Sequence, residues 1–332
     1  MSAKIGIQRD YYGKLIGCGF GFSGINNIID STNLDIDKGR VADAINVDFD
    51  NTNSVNRRLG FTAVTGTSGF HSGWNNDNKT CAYMVANSWI YEWDADDDLP
   101  TPLVQLSNNN PCEFCQVNNV VVYSNGTDFG VLGGSNQQTH TYSPEFKSST
   151  LGGRCLEFYN GRLYFARENS LHCTDTFDVE HVDVRFNRVA TFPHAITMCK
   201  RVEDGLWIGT EKYVYFLKGD DIREGGFEQI IVAKSGVVYG TACKTNAEYI
   251  PEAQATNNVV IFLSTAGICS GSSGGKYVNH SFNEVTFDTG NAGCATILNK
   301  NGVSLYITNF NIDAGEEYNP YRSNIYTEVN TL

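Results

Sequence analysis

No stretch of this chain approaches the roughly 18–20 consecutive apolar residues that a membrane-spanning helix requires, so a helical membrane span is excluded. The opening run MSAKIGIQRDYYGK lacks the apolar core of a secretory signal, and synthesis in a reducing cytoplasm is expected. Positive charge is also in short supply. Lys and Arg number 24 against 37 Asp and Glu, for a net charge of −13. A surface that grips nucleic acid needs a basic face, so a broad one is excluded. An acidic wall past which DNA slides without sticking is not. Proline is scarce, with 7 residues against 33 glycines. Sustained helical periodicity is missing as well. GRVADAIN, with Val41 and Ile45 on one face, is read as one or two helical turns. Without helices between its strands, a parallel α/β fold is excluded.

What the chain does have is a globular composition, 41% hydrophobic and 18% charged. Asn, Thr, Tyr and Phe are plentiful, which favours strands joined by tight turns. The segment NVDFDNTNSVNRRLG, Asn46 to Gly60, reads as a strand, a polar turn and a second strand. Asn78, Asn125 and Asn279 head glycosylation-like triplets and are expected in exposed turns.

The ten cysteines are the clearest organising signal. Cys81 precedes an apolar strand starting at Trp89, Cys112 one at Val120, and Cys155 one at Leu163, always by 8 residues. Cys199, Cys243 and Cys294 stand in the same relation to Leu206, Val259 and Val303, at offsets of 7, 16 and 9. Cys173 and Cys269 each follow their strand starts by 10. Buried free cysteine behaves as a small hydrophobe, so Cys81, Cys155, Cys199, Cys269 and Cys294 are expected in the core, together with Trp207. The one Cys-x-x-Cys, Cys112 to Cys115, has no second ligand pair, and on a strand its members would face opposite ways.

The strand starts Trp89, Val120, Leu163, Leu206, Val259 and Val303 lie 31, 43, 43, 53 and 44 residues apart. A period near 40–50 filled with strands and turns marks propeller blades. Asn160-Gly161 and Asp204-Gly205 are hairpin signals, because residues at such turns must accept positive φ. The expected fold is all-β: a β-propeller of six or seven four-stranded antiparallel blades. Residues 1–40 read as an N-terminal arm and lead-in. Residues 41–332 read as a single propeller closed by its N- and C-terminal strands, which hides the edges a ring would otherwise expose.

The chemical motifs are weak. GFGFSG, Gly19 to Gly24, has the glycines of a dinucleotide-binding turn but no helix after them. GSSGG, Gly271 to Gly275, places Ser273 in a nucleophile-like pattern but is followed by a strand, so a hairpin turn is expected. DADDDLP, Asp94 to Pro100, lacks the Gly and Glu of a calcium loop and reads as an acidic solvated turn. A glycosidase propeller needs two carboxylates on inner strands. The strands read as innermost, VVVYS, LYFA, LWIG and VVIFLS, carry none, and Glu92 in WIYEW has no evident partner. No catalytic set, cofactor or metal site is expected.

The segment GINNIIDSTNLDIDKGRVADAINVDFDNTNSVNRRLGF resembles the opening of small tailed-phage virion proteins. These begin with a G-(I/L)-N-N phrase, then A-x-N-V, then R-x-G-(F/Y). The matching residues are Gly24, Ile25, Asn26 and Asn27, then Ala44, Asn46, Val47 and Asp48, then Arg58, Gly60 and Phe61. ITMCKRVEDGLWIGTEKYVYFLKGDD and STAGICSGSSGG are similar to that group's blades. The resemblance implies a non-enzymatic tail-nozzle or head–tail connector subunit, part of a homo-oligomeric ring around the DNA path in the virion neck or tail. It implies portal, adaptor or other tail proteins as partners, with DNA passing non-specifically at most. Arg57 and Arg58, adjacent on a strand and so facing opposite ways, are candidate subunit contacts. The alternatives are a glycan- or receptor-binding, or glycan-cleaving, propeller of a tail tip, and a general interaction scaffold.

Overall fold

The computed structural model describes residues 69–76, 81–94, 99–133, 147–149, 152–183, 189–222, 226–250, 257–282, 292–300, 303–311 and 327–330, with six short strands before residue 58. Those six form three pairs: β1 (Gly6–Arg9) with β2 (Leu15–Gly19), β3 (Gly24–Ile25) with β4 (Arg40–Val41), and β5 (Val47–Phe49) with β6 (Val55–Arg57). The strand pair expected in NVDFDNTNSVNRRLG is found, with Val47 opposite Arg57 and Phe49 opposite Val55. Arg40 and Val41, expected to begin a helical turn, are instead extended and pair in parallel with Gly24 and Ile25. A β-branched valine beside a strand partner takes the pleated conformation readily.

Seven antiparallel sheets follow among the described residues, six blades and one small pair. Blade 1 holds β7 (His71–Asn75), β8 (Cys81–Ala86), β9 (Trp89–Asp94) and β10 (Thr101–Gln105). Blade 2 holds β11 (Glu113–Val117), β12 (Val120–Ser124) and β13 (Phe129–Leu132). A small pair, β14 (Lys147–Ser149) with β18 (His181–Asp183), flanks blade 3, which holds β15 (Arg154–Tyr159), β16 (Arg162–Arg167), β17 (Ser170–Cys173) and β19 (Val189–Thr191). Blade 4 holds β20 (Ile196–Val202), β21 (Gly205–Thr210), β22 (Val214–Gly219) and β23 (Phe227–Ala233). Blade 5 holds β24 (Cys243–Asn246), β25 (Asn258–Ser264), β26 (Gly267–Ser272) and β27 (Lys276–Asn279). Blade 6 holds β28 (Ala292–Lys300), β29 (Val303–Asn311) and β30 (Thr327–Asn330).

The fold is a β-propeller. Strands within each blade are neighbours in chain order, and most successive blades meet through their first strands: β7 lies by β11, β11 by β15, β15 by β20, and β24 by β28, while β20 lies by the second strand β25. No α-helix occurs among the described residues. The expected closure by the first and last strands falls outside them.

Five apolar clusters fill the five blade-to-blade interfaces. Tyr83 and Val85 meet Phe114 and Val121 between blades 1 and 2, and Val122 meets Leu156 and Leu163 between blades 2 and 3. Tyr164 and Leu171 meet Leu206 and Tyr215 between blades 3 and 4. Trp207 and Phe216 meet Val260 and Phe262 between blades 4 and 5, and Val259 and Ile261 meet Tyr306 between blades 5 and 6. A blade is therefore covered on both faces, and its second strand becomes a continuous apolar run rather than an alternating one.

That packing corrects one sequence reading. VVVYS, LYFA, LWIG and VVIFLS are second strands, β12, β16, β21 and β25, not the innermost ones. The first strands are EFCQV, RCLEFY, ITMCKRV, CKTN and AGCATILNK; the last four carry the repeated Cys155, Cys199, Cys243 and Cys294, and Cys112 stands directly before the first. The first strands carry the charged Glu113, Glu157, Lys200, Arg201 and Lys244.

The turns follow their residues. Asn160 and Gly161 both have positive φ (47° and 77°), as expected for their hairpin. Asp204-Gly205 does not behave this way. Val202 pairs with Gly205, so Glu203 and Asp204 make the turn, and Gly205 opens β21. Glycine is needed there because a Cβ would run into the Leu217 carbonyl. GSSGG makes the expected turn between β26 and β27, with Gly274 and Gly275 both at positive φ (76° and 71°).

Candidate functional site

The first strands bring charge to the axis. Glu157 extends from β15 in blade 3, and its side chain is 2% exposed. Lys244 Nζ, from β24 in blade 5, donates to Glu157 Oε1 at 2.8 Å. Arg201 Nε and Lys200 Nζ, from β20 in blade 4, stand 3.6 Å from Oε1 and 4.0 Å from Oε2. One buried carboxylate thus gathers three cations from two further blades. Burial works against the charge on Lys200, but Glu157 and then Glu113 outweigh it and hold its pKa above the ordinary lysine value.

Glu113, on β11 of blade 2, extends the pattern by another blade. Its Oε1 accepts the Cys155 N–H at 2.9 Å and its Oε2 the Leu156 N–H at 3.0 Å. These amides are free because β15 bulges between Arg154 and Glu157, with Cys155 at φ 55°. A bulge leaves backbone donors without strand partners, and a carboxylate satisfies two at once. Two carboxylates therefore stitch four consecutive blades. Arg154, next to the bulge, lies over the Tyr239 ring with its guanidinium carbon 5.5 Å from the centroid.

The expectation that inner strands lack carboxylates is overturned by Glu113 and Glu157. It failed because the wrong strand of each blade was read as innermost. Their chemistry is nonetheless that of anchors. Glu113 is occupied by two backbone amides, and Glu157 is buried beneath three cations. A glycosidase acid must reach the leaving-group oxygen with a proton to give.

The cysteines are thiols without disulfides among the described residues. Burial pushes Cys115 and Cys243 up to about 12 and Cys155 and Cys199 well above the ordinary value, so none is poised as a nucleophile. Cys155, Cys199, Cys269 and Trp207 are buried, as expected for core residues. Cys81 is only half-buried, and Cys294 is exposed. The period of two along β28 explains the latter: Ala295 and Ile297 pack on the blade 5–6 cluster, so Cys294 points the other way.

Cys81 has company that the sequence did not reveal. Across β8 and β9 it pairs with Asp94, and Tyr83 pairs with Glu92. Donor atoms of Cys81, Glu92 and Asp94 lie within 4.8 Å of one another. Glu92 Oε1 accepts from the Cys81 thiol at 3.4 Å and from the Tyr83 hydroxyl at 3.1 Å. Burial raises the Cys81 thiol to about 11, so in the absence of a metal it donates to Glu92 as the neutral thiol. Of DADDDLP, residues 95–98 lie outside the described ones.

Ser273 Oγ donates to Glu203 Oε2 at 2.6 Å, and Glu203 Oε1 also accepts from the Asn258 backbone and side-chain amides. The motif thus ties blade 5 to blade 4 through a turn. Asn125 was expected in an exposed turn but is buried. Its Oδ1 accepts the Thr127 and Asp128 N–H groups, so the turn is built around it. Arg57 lies on β6, and its side chain falls outside the described residues, as does Arg58.

The signal for the axial cluster was present beside the repeated cysteines. Glu113, Lys200 and Lys244 directly follow Cys112, Cys199 and Cys243, and Glu157 stands two after Cys155.

No protein-family model matches the chain, and no curated protein does. Solved structures with similar folds include one of the mitotic checkpoint complex, 10% identical over 77% of this chain and 75% of that one, at a TM-score of 0.45. Hsv2 of Kluyveromyces lactis is 11% identical over 70% of this chain and 74% of its own, at 0.40. The extracellular domain of a putative hybrid two-component system from B. thetaiotaomicron is 11% identical over 74% of this chain, at 0.46. This chain spans 32% of that domain's length. Identities this low transfer no function.

Proposed function

We propose that this chain is a non-enzymatic structural subunit of a tailed-phage virion, acting in a head–tail connector or tail-nozzle ring. The observation that carries the reading is the phrase series from Gly24 to Phe61, found in a chain that folds as a propeller and forms the β5–β6 strand pair within that phrase. The axial cluster supports a role through faces and edges rather than through a pocket. Glu157 ties together the first strands of blades 3, 4 and 5, and in this reading the conduit for DNA is the ring of subunits rather than the channel of one propeller. Affinity then comes from flat contacts repeated by symmetry. Portal, adaptor or other tail proteins are the neighbours of such a ring, and Arg57 and Arg58 its candidate subunit contacts.

The test is the copy number of this chain in purified virions, measured by quantitative mass spectrometry against portal and major capsid proteins. A low number in simple ratio to the portal is expected. Absence from particles would overturn the reading and leave a scaffold acting elsewhere.

A further inference from the structure

The axial cluster holds more positive charge than its own carboxylate uses. Glu157 faces Lys200, Arg201 and Lys244 together, while Glu113 is occupied by the Cys155 and Leu156 amides. Two ammonium groups and a guanidinium carry more donors between them than one carboxylate has lone pairs to accept. Exposure rises outward through the cluster. The side chains of Glu157, Lys200, Lys244 and Arg201 are 2%, 21%, 39% and 47% exposed. The anion lies at the floor, and the unspent donors of Arg201 and Lys244 face solvent above it. All three cations stand on first strands, and so at the axis rather than on the outer wall.

We propose that this spot docks a short acidic segment of a partner protein, with a partner carboxylate taking the outer donors of Arg201 and Lys244. The chemistry is charge-assisted hydrogen bonding, for which the planar guanidinium is suited to bidentate capture. The size and setting favour a peptide over nucleic acid. Three cations make a small target inside a chain of net charge −13, which repels a long polyanion. A single acidic side chain feels chiefly the local field, because screening at physiological salt limits its reach to about 8 Å. Glu157 is then both the anchor of the cations and an internal competitor for them. This deepens the proposed interaction role by naming the partner's chemistry. It is tested on the isolated chain, so its failure is distinct from a failure of the virion reading, which rests on particle composition.

The experiment titrates fluorescein-labelled hexaglutamate with the full chain and reads fluorescence anisotropy, at low salt and at physiological salt. Saturable binding that weakens with salt is expected. Arg201→Gln, at a half-exposed position, should weaken it about tenfold, as loss of a charge-assisted contact does. Glu157→Gln should strengthen it by a similar factor, because the cations lose their internal partner; a purely structural role for Glu157 would not produce a gain. Arg167→Gln, on the exposed end of β16, should change nothing. Should Glu157→Gln fail to fold, Arg201→Gln alone decides. No binding by the parent chain, or binding unaltered in Arg201→Gln, would overturn the proposal. Tighter binding of a duplex DNA oligonucleotide that is lost in Arg201→Gln would overturn it in favour of nucleic acid.

Discussion

Glu157 and Lys244 meet at 2.8 Å although they stand 87 positions apart in the chain, with the whole of blade 4 between them. A contact of this kind forms only when the third, fourth and fifth blades have all taken their places. It therefore reports on assembly of the ring rather than on any single hairpin.

Breaking this contact should destabilise the fold. Removing one partner of a buried ion pair costs about 3–5 kcal/mol. Lys244 is partly exposed and Lys200 and Arg201 stay near, so Lys244→Met should cost less, about 1–2 kcal/mol. Urea unfolding of Lys244→Met, Glu157→Gln and the double variant would measure the coupling. Additive effects would show that the contact contributes nothing.

Acid should weaken the blade-to-blade contacts through Asp128 and Glu203. Partial burial opposes ionisation of both, but hydrogen bonds outweigh it: from Ser107 and Asn125 to Asp128, and from Ser273 and Asn258 to Glu203. Both carboxyls are therefore held below their ordinary values of 3.8 and 4.5. A depressed folded pKa means that the unfolded chain binds protons first on acidification. The stability these groups supply is full above about pH 4.5 and is lost as pH falls through their lower folded values. Thermal midpoints against pH should show this acid limb, and Asp128→Asn should make it shallower.

Trp207 and Gly271 form the tightest fit between blades 4 and 5. The indole is fully buried, its Nε1 donates to the Ser272 carbonyl at 3.3 Å, and its ring lies where a Cβ on Gly271 would stand. Trp207→Ala should cost about 3–5 kcal/mol. Gly271→Ala should cost about 1–3 kcal/mol by forcing the ring aside. Denaturant midpoints would check both, and an unchanged Gly271→Ala would show that the interface gives way easily.

Alkylation should rank the cysteines by burial. Peptide mapping after brief iodoacetamide treatment of the folded chain should find Cys294 modified first and Cys81 more slowly. Cys155, Cys199 and Cys269 should react only on unfolding. Early labelling of Cys199 would contradict the packing around the axis.

Much of this architecture is legible in the sequence, for a physical reason. Blades repeat, and repetition forces similar residues to similar places, so the cysteines and the apolar runs marked the period before any strand was placed. Asn160-Gly161 showed its turn because positive φ selects its residues. What was not legible is which strand of each repeat lies innermost. The usual rule that the most apolar strand is the most central fails in a propeller, where the second strand is covered on both faces and the first borders a polar axis. That inversion concealed Glu113 and Glu157. Gly205 misled for a related reason, since it is small to clear the Leu217 carbonyl and not to turn the chain. The Glu157–Lys244 contact needs three blades in register, which no local pattern encodes.

The most direct test of the functional account is a single-particle reconstruction of the neck and tail of virions containing this chain. Expected is a ring of propellers containing this chain, with DNA density on the ring's own axis. DNA running through the channel of one propeller, or a neck without this chain, would contradict it.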